Sequence, residues 1–244
     1  MKLSLFGFVA IAGLALASAV SAASVRVSQE SSAGAADFDA NVLGFIQAYD
    51  YSASGSVADF YSYNNPINFS YNGQNNGGPT GTDGQTQSFF VIGNDGIGLV
   101  TLHDAPNDGT GGNAIMTHTV IGGVADAVAY MVRDDTGDGN LINDIGGDRA
   151  FTTRHTWQNC CTDGSAIGDL GSNFIVYSEF DGSPSGLSIW YARGSQDEDI
   201  LLSMASDRRV RFDIVGEVPL PASGMFLIGA LGAIGVTRRL RKSH

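Results

Sequence analysis

The sequence predicts an all-β domain, an antiparallel β-sandwich of jelly-roll type. Short apolar segments alternate with polar turns about every eight to fifteen residues, and 33 glycines are available for turns. The central chain has no long stretch with apolar residues at the three- and four-residue spacing of an amphipathic helix. These patterns favour two packed sheets over a helical or an α/β fold.

The clearest local signal is a hairpin: residues 88–92 and 97–102 are mostly apolar, and Asn94-Asp95-Gly96 lies between them as a turn. Alternation of aromatic and polar residues predicts strands at 59–63 and 67–71. Residues 42–51 and 199–206 fit either a strand or a helix. The segment between Phe151 and Phe174 is predicted to be a loop. Further strands are predicted at residues 25–27, 115–121, 125–132, 174–180, 187–191 and 209–215.

The N-terminus has the three parts of a secretory signal peptide. Lys2 provides the positive charge, residues 3–17 are almost all apolar, and small residues follow from Ser18 to Ala23. Cleavage after Ala22 or Ala23 would start the mature chain near Ala23 or Ser24, so residues 1–23 are assigned to the signal peptide. The alternative is an uncleaved anchor, for which the apolar run is short.

The C-terminus, residues 218–244, has a second three-part pattern: a short motif at 218–222, an apolar segment at 224–236, and a basic cluster at 238–242. Counted from residue 218, nineteen helical residues reach about 28 Å, close to the thickness of a bilayer core. The basic cluster would stay on the cytoplasmic side. The motif residues are Val218, Pro219, Leu220, Pro221 and Ala222, and the basic residues are Arg238, Arg239, Arg241 and Lys242.

This C-terminal array resembles the PEP-CTERM class of bacterial sorting signals in its VPLPA variant, over residues 218–242 only. The resemblance implies recognition by an exosortase, cleavage near the motif, and passage to the cell surface or extracellular matrix of a Gram-negative-type bacterium. With the signal peptide, it implies signal peptidase, exosortase and transiently the inner membrane as partners, in hosts that commonly make exopolysaccharide. The family's commonest motif, Pro-Glu-Pro, is absent here, which leaves the cleavage position open. The alternative is an ordinary C-terminal membrane anchor.

The predicted mature domain, residues 24–217, is strongly acidic. It contains all 25 acidic residues, eight arginines and no lysine, a net charge of −17. Nucleic acid is therefore excluded as a partner, because binding phosphates requires clustered basic residues. An anionic membrane surface is disfavoured for the same reason. Of the acidic residues 21 are Asp, which suits both turns and cation binding.

The densest acidic stretch predicts a calcium site. Asp134, Thr136, Asp138 and Gly139 align with positions 1, 3, 5 and 6 of an EF-hand-like loop, which is rich in hard oxygen ligands. Position 12 is Ile145 rather than Glu, so the loop is not an EF-hand, and Asp144 or Asp148 would complete the coordination. The alternative is a polar turn without an ion.

Cys160 and Cys161 are adjacent and are the chain's only two cysteines. They form a vicinal disulfide, two free thiols or an intermolecular bridge, so the fold cannot depend on a disulfide framework. With Trp157 nearby, a vicinal disulfide would offer an apolar platform for a ligand. The alternative, which we favour, is a structural loop with Trp157 in the core.

No catalytic array is visible. His103, His118 and His155 lack the spacing of a zinc site and are expected to be surface or hydrogen-bonded histidines. Glu179 and Asp181 are the one mild candidate for a pair of hydrolytic carboxylates. The aromatic residues between Tyr49 and Tyr71 suit sugar stacking, but core packing explains them better.

These observations predict a non-catalytic exported protein of the cell surface or extracellular matrix, sorted by its C-terminal segment and stabilised by calcium. The first alternative is a carbohydrate-binding module that holds exopolysaccharide, and the second is a secreted hydrolase.

Overall fold

A computed structural model describes residues 23–62, 70–122, 129–133, 142–145 and 149–216. For residues 129–131, 133 and 142–145 the backbone alone is described. This part of the chain contains an α-helix, α1 (Val57–Tyr61), a 3₁₀ helix (Asn72–Asn76) and fourteen strands. The strands are β1 (Ser24–Gln29), β2 (Val42–Gln47), β3 (Tyr49–Asp50), β4 (Gln85–Gly93), β5 (Gly96–His103), β6 (Gly112–Gly122), β7 (Ala129–Arg133), β8 (Ile142–Ile145), β9 (Ala150–Trp157), β10 (Asp163–Gly168), β11 (Phe174–Phe180), β12 (Ile189–Arg193), β13 (Asp199–Leu202) and β14 (Val210–Ile214).

The strands form two seven-stranded sheets that pack face to face, so the predicted all-β sandwich is confirmed at this level. The first sheet has the order β2-β1-β14-β11-β6-β9-β8. The second has the order β13-β12-β4-β5-β10-β7, with β3 also beside β4.

The pairing is not purely antiparallel, which corrects the prediction. β12 and β3 both run parallel to β4, with Trp190 opposite Thr86 and Tyr49 opposite Val91. One edge of β4 is taken by its hairpin partner β5, and the other edge is covered by strands from distant parts of the chain. Alternation along a strand does not encode the direction of its neighbour, so the sequence pattern missed this arrangement.

The space between the sheets contains the main core. Phe90 of β4 stacks on Phe174 of β11, with ring centroids 5.4 Å apart, and meets Phe212 of β14 edge-on at 5.5 Å. Trp190 packs against Phe180 in the same space. These large side chains are fully buried, and they fix how the two sheets face each other.

A second cluster covers the outer face of the second sheet. Phe60 and Tyr61 of α1 and Tyr71, which precedes the 3₁₀ helix, pack on Phe89 of β4. Tyr49 and Tyr51 lie against the edge of the same cluster. The described aromatic residues between Tyr49 and Tyr71 therefore pack as core.

Residues 59–63 were predicted to form a strand, and this was wrong: 57–61 are helical. Ser56 and Asp59 form a capping box, in which the Ser56 hydroxyl accepts from the Asp59 N–H and the Asp59 carboxylate accepts from the Ser56 N–H. Of the predicted strand at 67–71, Ser70 and Tyr71 lead into the 3₁₀ helix, and the rest lies outside the described residues. Aromatic spacing alone did not separate a one-turn helix from a strand.

Residues 151–174 were predicted to form a loop, and this was also wrong. β9 occupies the first part of this segment up to Trp157, and β10 occupies its middle. Both strands place polar side chains such as Thr153, His155 and Ser165 towards the interior. The two ambiguous segments are strands: 42–51 contains β2 and β3, and 199–206 contains β13. The hairpin of β4 and β5 is confirmed.

The predicted signal peptide, apart from Ala23, and the predicted C-terminal sorting segment lie outside the described residues. Within the residues that are described, no helix has the length and hydropathy needed to cross a membrane.

Candidate functional site

The residues predicted to bind calcium lie almost entirely outside the described part of the chain. Asp134, Thr136, Asp138, Gly139 and Asp148 are outside it. Asp144 lies in β8, opposite Phe151 of β9, with its backbone alone described. The sorting residues 218–222 and 238–242 are outside as well.

Cys160 and Cys161 are bonded to each other in the turn between β9 and β10. The Cys160 carbonyl accepts a hydrogen bond from the Asn107 N–H, which ties this turn to the loop after β5. Trp157 is buried, and its indole N–H donates to Asp104. Trp157 is thus a core residue and not part of an exposed ligand platform.

Three buried histidines lie in one polar layer between the sheets. His103 Nδ1 is 2.9 Å from Thr86 Oγ1, His118 Nδ1 is 2.8 Å from Ser178 Oγ, and His155 Nδ1 is 3.1 Å from Asp163 Oδ1. The His103 and His155 rings are 4.6 Å apart. We define the polar layer as His103, His118, His155 and Asp163 with the hydroxyl groups of Thr86, Ser88 and Ser178.

The surface alternative for the histidines was wrong, whereas the alternative of hydrogen-bonded histidines is confirmed at each Nδ1. All three are buried, and each Nε2 has no partner among the described residues. Burial lowers the pKa of His118 to about 3, and burial first, then the neighbouring His155 and His118, lowers that of His103 well below its ordinary value. Because a buried imidazolium loses its hydration, His103 and His118 stay neutral in the folded protein.

The polar layer contains Ser–His and Asp–His pairs of the type that hydrolases use, but these pairs are enclosed. His118 and Ser178 have no exposed surface, and His155 is only 1% exposed. A nucleophile must reach its substrate to act. These contacts therefore orient core side chains.

Glu179 and Asp181, the proposed carboxylate pair, flank Phe180 at the end of β11. Glu179 is half-buried, and burial raises its pKa while the nearby Arg209 opposes the rise. Asp181 is exposed.

Loops at one end of the second sheet bring together three carboxylates that the sequence analysis did not single out. Asp83 precedes β4, and Asp104 and Asp108 follow β5. Their carboxylate oxygens lie within 4.8 Å of one another. No arginine or lysine among the described residues forms an ion pair with them. The oxygens of these three carboxylates could hold a hard divalent cation such as calcium.

The protonation of this group reflects its crowding. Burial raises the pKa of Asp104, although hydrogen bonds from the Gly84 N–H and the Trp157 N–H oppose the rise. Burial also acts on Asp108, but hydrogen bonds from Thr110 and from Asp104 outweigh it and lower the pKa of that carboxyl. Asp104 thus holds a proton more readily than Asp108, because it is more deeply buried and lies beside a second carboxylate.

A groove opens on the outer face of the second sheet. Its volume is about 360 Å³. The residues 77–82 form one wall, the turn 193–199 forms the other, and Tyr49 and Gln87 lie at its base. Gly78 lets the first wall lie directly on the aromatic cluster, since a Cβ there would come within 2.7 Å of Phe60.

The side chains at the base of the groove are held in place. The Tyr49 hydroxyl donates to the Gly194 carbonyl at 2.9 Å, and burial raises the pKa of Tyr49 to about 12. Both hydrogens of the Gln87 amide are used, one to the Thr80 carbonyl at 2.8 Å and one to the Thr82 hydroxyl at 3.2 Å. Arg193 pairs with Asp199, donates to Gln85, and stacks over the Tyr191 ring at 4.6 Å.

Sequence reasoning did not find this groove, because its walls are more than 110 residues apart along the chain and meet through the parallel pairing of β12 with β4. Turn-forming Gly, Pro and Thr at 77–82 were the sole local signal. Comparison of the chain with family models, with curated proteins and with solved structures finds no match.

Proposed function

We propose that this protein is a non-catalytic component of the bacterial cell surface or extracellular matrix, exported by an N-terminal signal peptide and sorted by its C-terminal segment. The observation that carries the proposal is the array at residues 218–242: a proline-containing motif, an apolar segment and a terminal basic cluster. The partners in this proposal are signal peptidase, an exosortase and, before processing, the inner membrane.

Several properties of the body support an exterior location. The bonded pair Cys160–Cys161 suits an oxidising compartment, where disulfides persist. A net charge of −17 over residues 24–217 keeps a protein soluble and repels nucleic acid. A jelly-roll-like sandwich between the two terminal segments is part of the proposal.

We propose a non-catalytic role because the polar layer is inaccessible to a substrate. The hydroxyl–imidazole pairs found among the described residues are buried between the sheets, where no substrate reaches them.

Calcium remains part of the proposal as a structural ion. Two acidic groups are candidates for the calcium site. They are the stretch containing Asp134, Thr136, Asp138, Gly139, Asp144 and Asp148, and the group Asp83, Asp104 and Asp108. Carboxylates gathered from separate loops would be drawn together by the ion, which stabilises the folded state.

The proposal is tested by following a tagged chain through cell fractions in a Gram-negative host, with and without a co-expressed exosortase. We expect the tagged body at the surface or in the medium only when the exosortase is present. Replacing Pro219 and Pro221 with Ala should leave the chain in the inner membrane, whereas Thr237→Ala, in the same segment but outside the motif, should not. Cytoplasmic accumulation of the unaltered chain would contradict export. Release of the body that is unchanged by the proline substitutions would contradict the sorting role of the motif.

A further inference from the structure

The groove between residues 77–82 and 193–199 has the chemistry of a sugar site, and we infer that it binds a neutral saccharide unit of an extracellular polysaccharide. This inference rests on the proposed exterior, non-catalytic role and names the partner through which the domain would act there.

The base of the groove has one unfilled acceptor and one unfilled donor. Gln87 uses both amide hydrogens, but its Oε1 has no partner among the described residues. Arg193 uses both terminal nitrogens, but its Nε is likewise without a described partner. Unpaired buried polar atoms are costly, so these two are positions that a ligand can improve.

Sugar hydroxyl groups suit either position, because a hydroxyl donates one hydrogen bond and accepts others. A hydroxyl hydrogen would go to Gln87 Oε1, and a hydroxyl oxygen would accept from Arg193 Nε. Both atoms are covered in the empty groove. The Asp199 side chain, 48% exposed and paired with Arg193, is a lining group that a ligand can displace, since pairs near the surface contribute little stability.

The charges around the groove select against anions. Asp197 and Asp199 are exposed on the rim, and Arg193 is the one basic residue among the described residues of the lining. Carboxylates accept strong hydrogen bonds from sugar hydroxyls but repel phosphate, sulfate and uronate groups. A neutral saccharide is therefore favoured over a nucleotide or an acidic polysaccharide.

The size and rigidity of the groove fit the same ligand. A volume of about 360 Å³ lies at the lower end of the range for small-molecule sites, which suits about one or two sugar units. Tyr49 is fixed by its bond to Gly194 and by an edge contact with Phe89, with ring centroids 5.6 Å apart. Preorganised side chains lose little entropy on binding.

The test uses the full chain, purified in a non-glycosidic detergent so that the detergent head group cannot occupy the groove. An array of neutral, uronate-containing and sulfated glycans identifies the class that binds, and calorimetry gives Kd for the best neutral glycan. Asp197→Asn and Arg193→Gln alter the groove. Asn tolerates the positive φ of 61° at position 197, so that variant keeps the fold. Asp39→Asn is the matched control, because Asp39 is an exposed carboxylate that pairs with Arg26 and Arg211 of the other sheet.

We expect neutral glycans to bind, Kd to rise about tenfold or more in Arg193→Gln and less in Asp197→Asn, and Asp39→Asn to match the unaltered chain. The inference is overturned if no neutral glycan binds at millimolar concentration, if the groove variants bind as well as the control, or if uronates are preferred. Cell fractionation and an assay for released reducing ends distinguish failure of this inference from failure of the proposed function. A surface protein that neither binds nor cleaves glycans overturns the inference alone, and one that cleaves them overturns the non-catalytic proposal.

Discussion

The two halves of the space between the sheets are built from the same strands but by different interactions. Along β4, Phe90 and Ile92 face an apolar half that contains Phe174 and Phe212, whereas Thr86 and Ser88 face the polar layer with its three histidines. The apolar half is stabilised by burial of area, which has no direction and does not depend on pH. The polar layer depends on directed hydrogen bonds and on His103 and His118, whose lowered pKa values keep them neutral, so its contribution depends on pH.

The largest expected effect lies in the apolar half. Phe90→Ala should lower the free energy of unfolding by about 3–5 kcal/mol, because it removes ring contacts to Phe174 and Phe212 and leaves a cavity. The loss should be the same at pH 7.5 and pH 6, as measured by urea unfolding of the full chain. Phe45→Ala is the matched control, since Phe45 is 52% exposed, and it should cost less than about 1 kcal/mol. Equal effects of the two substitutions would contradict the assignment of the core.

The polar layer should make the fold sensitive to acid. The pKa of His118 is lowered from 6.5 to about 3, so the unfolded chain binds a proton there before the folded chain does. The stabilising contribution is complete above pH 6.5 and declines as the pH falls towards 3. At pH 5 the loss from His118 is about 2 kcal/mol, and His103 adds to it in the same direction.

Urea unfolding at pH 7.5, 6 and 5 measures this decline. Measurements above pH 5 report on the histidines and not on Glu30. Burial raises the pKa of Glu30, but Arg209 and backbone hydrogen bonds outweigh burial and lower the pKa from 4.5. Protonation of Glu30 therefore affects stability only at lower pH. In His118→Gln, the free energy of unfolding should fall less steeply with pH, by the slope that corresponds to uptake of about one proton on unfolding. A stability that stays constant from pH 7.5 to pH 5 would show that the layer is protonated or open to solvent in the folded state.

Calcium should give a smaller effect, confined to the acidic groups. A cation that binds only the folded chain, at ten times its Kd, raises the free energy of unfolding by about 1.4 kcal/mol. Thermal unfolding with calcium, magnesium or chelator measures the shift. Loss of the shift in Asp108→Asn assigns the ion to Asp83, Asp104 and Asp108, and loss in Asp138→Ala assigns it to the 134–148 stretch. Identical midpoints in calcium and chelator would leave both groups as polar turns.

What the sequence predicted correctly was local. The hairpin of β4 and β5 was predicted because its two mostly apolar runs and the Asn-Asp-Gly turn between them are contiguous. β9 and β10 were missed because His155, Thr153, Asp163 and Ser165 occupy interior positions that patterns reserve for apolar residues. The helix at Val57–Tyr61 was missed because its capping box is a two-residue signal beside a stronger aromatic alternation.

The sites were less predictable than the fold. The acidic group joins Asp83 to Asp104 and Asp108 across the β4–β5 hairpin, and the groove joins residues 77–82 to 193–199 across a parallel pair. Neither set is close in sequence, and neither matches a spaced motif. The vicinal cysteines were recognised as a possible disulfide because the two residues are adjacent.

The most direct test of the exported, tail-sorted account is the intact mass of the protein recovered from the cell surface or medium of a host that expresses the exosortase. The account predicts a chain that starts at residue 23 or 24 and ends near residues 218–222, without the apolar segment and the basic cluster. A recovered chain that retains residues 224–244 would contradict sorting by cleavage, and one that retains residues 1–22 would contradict the cleaved signal peptide.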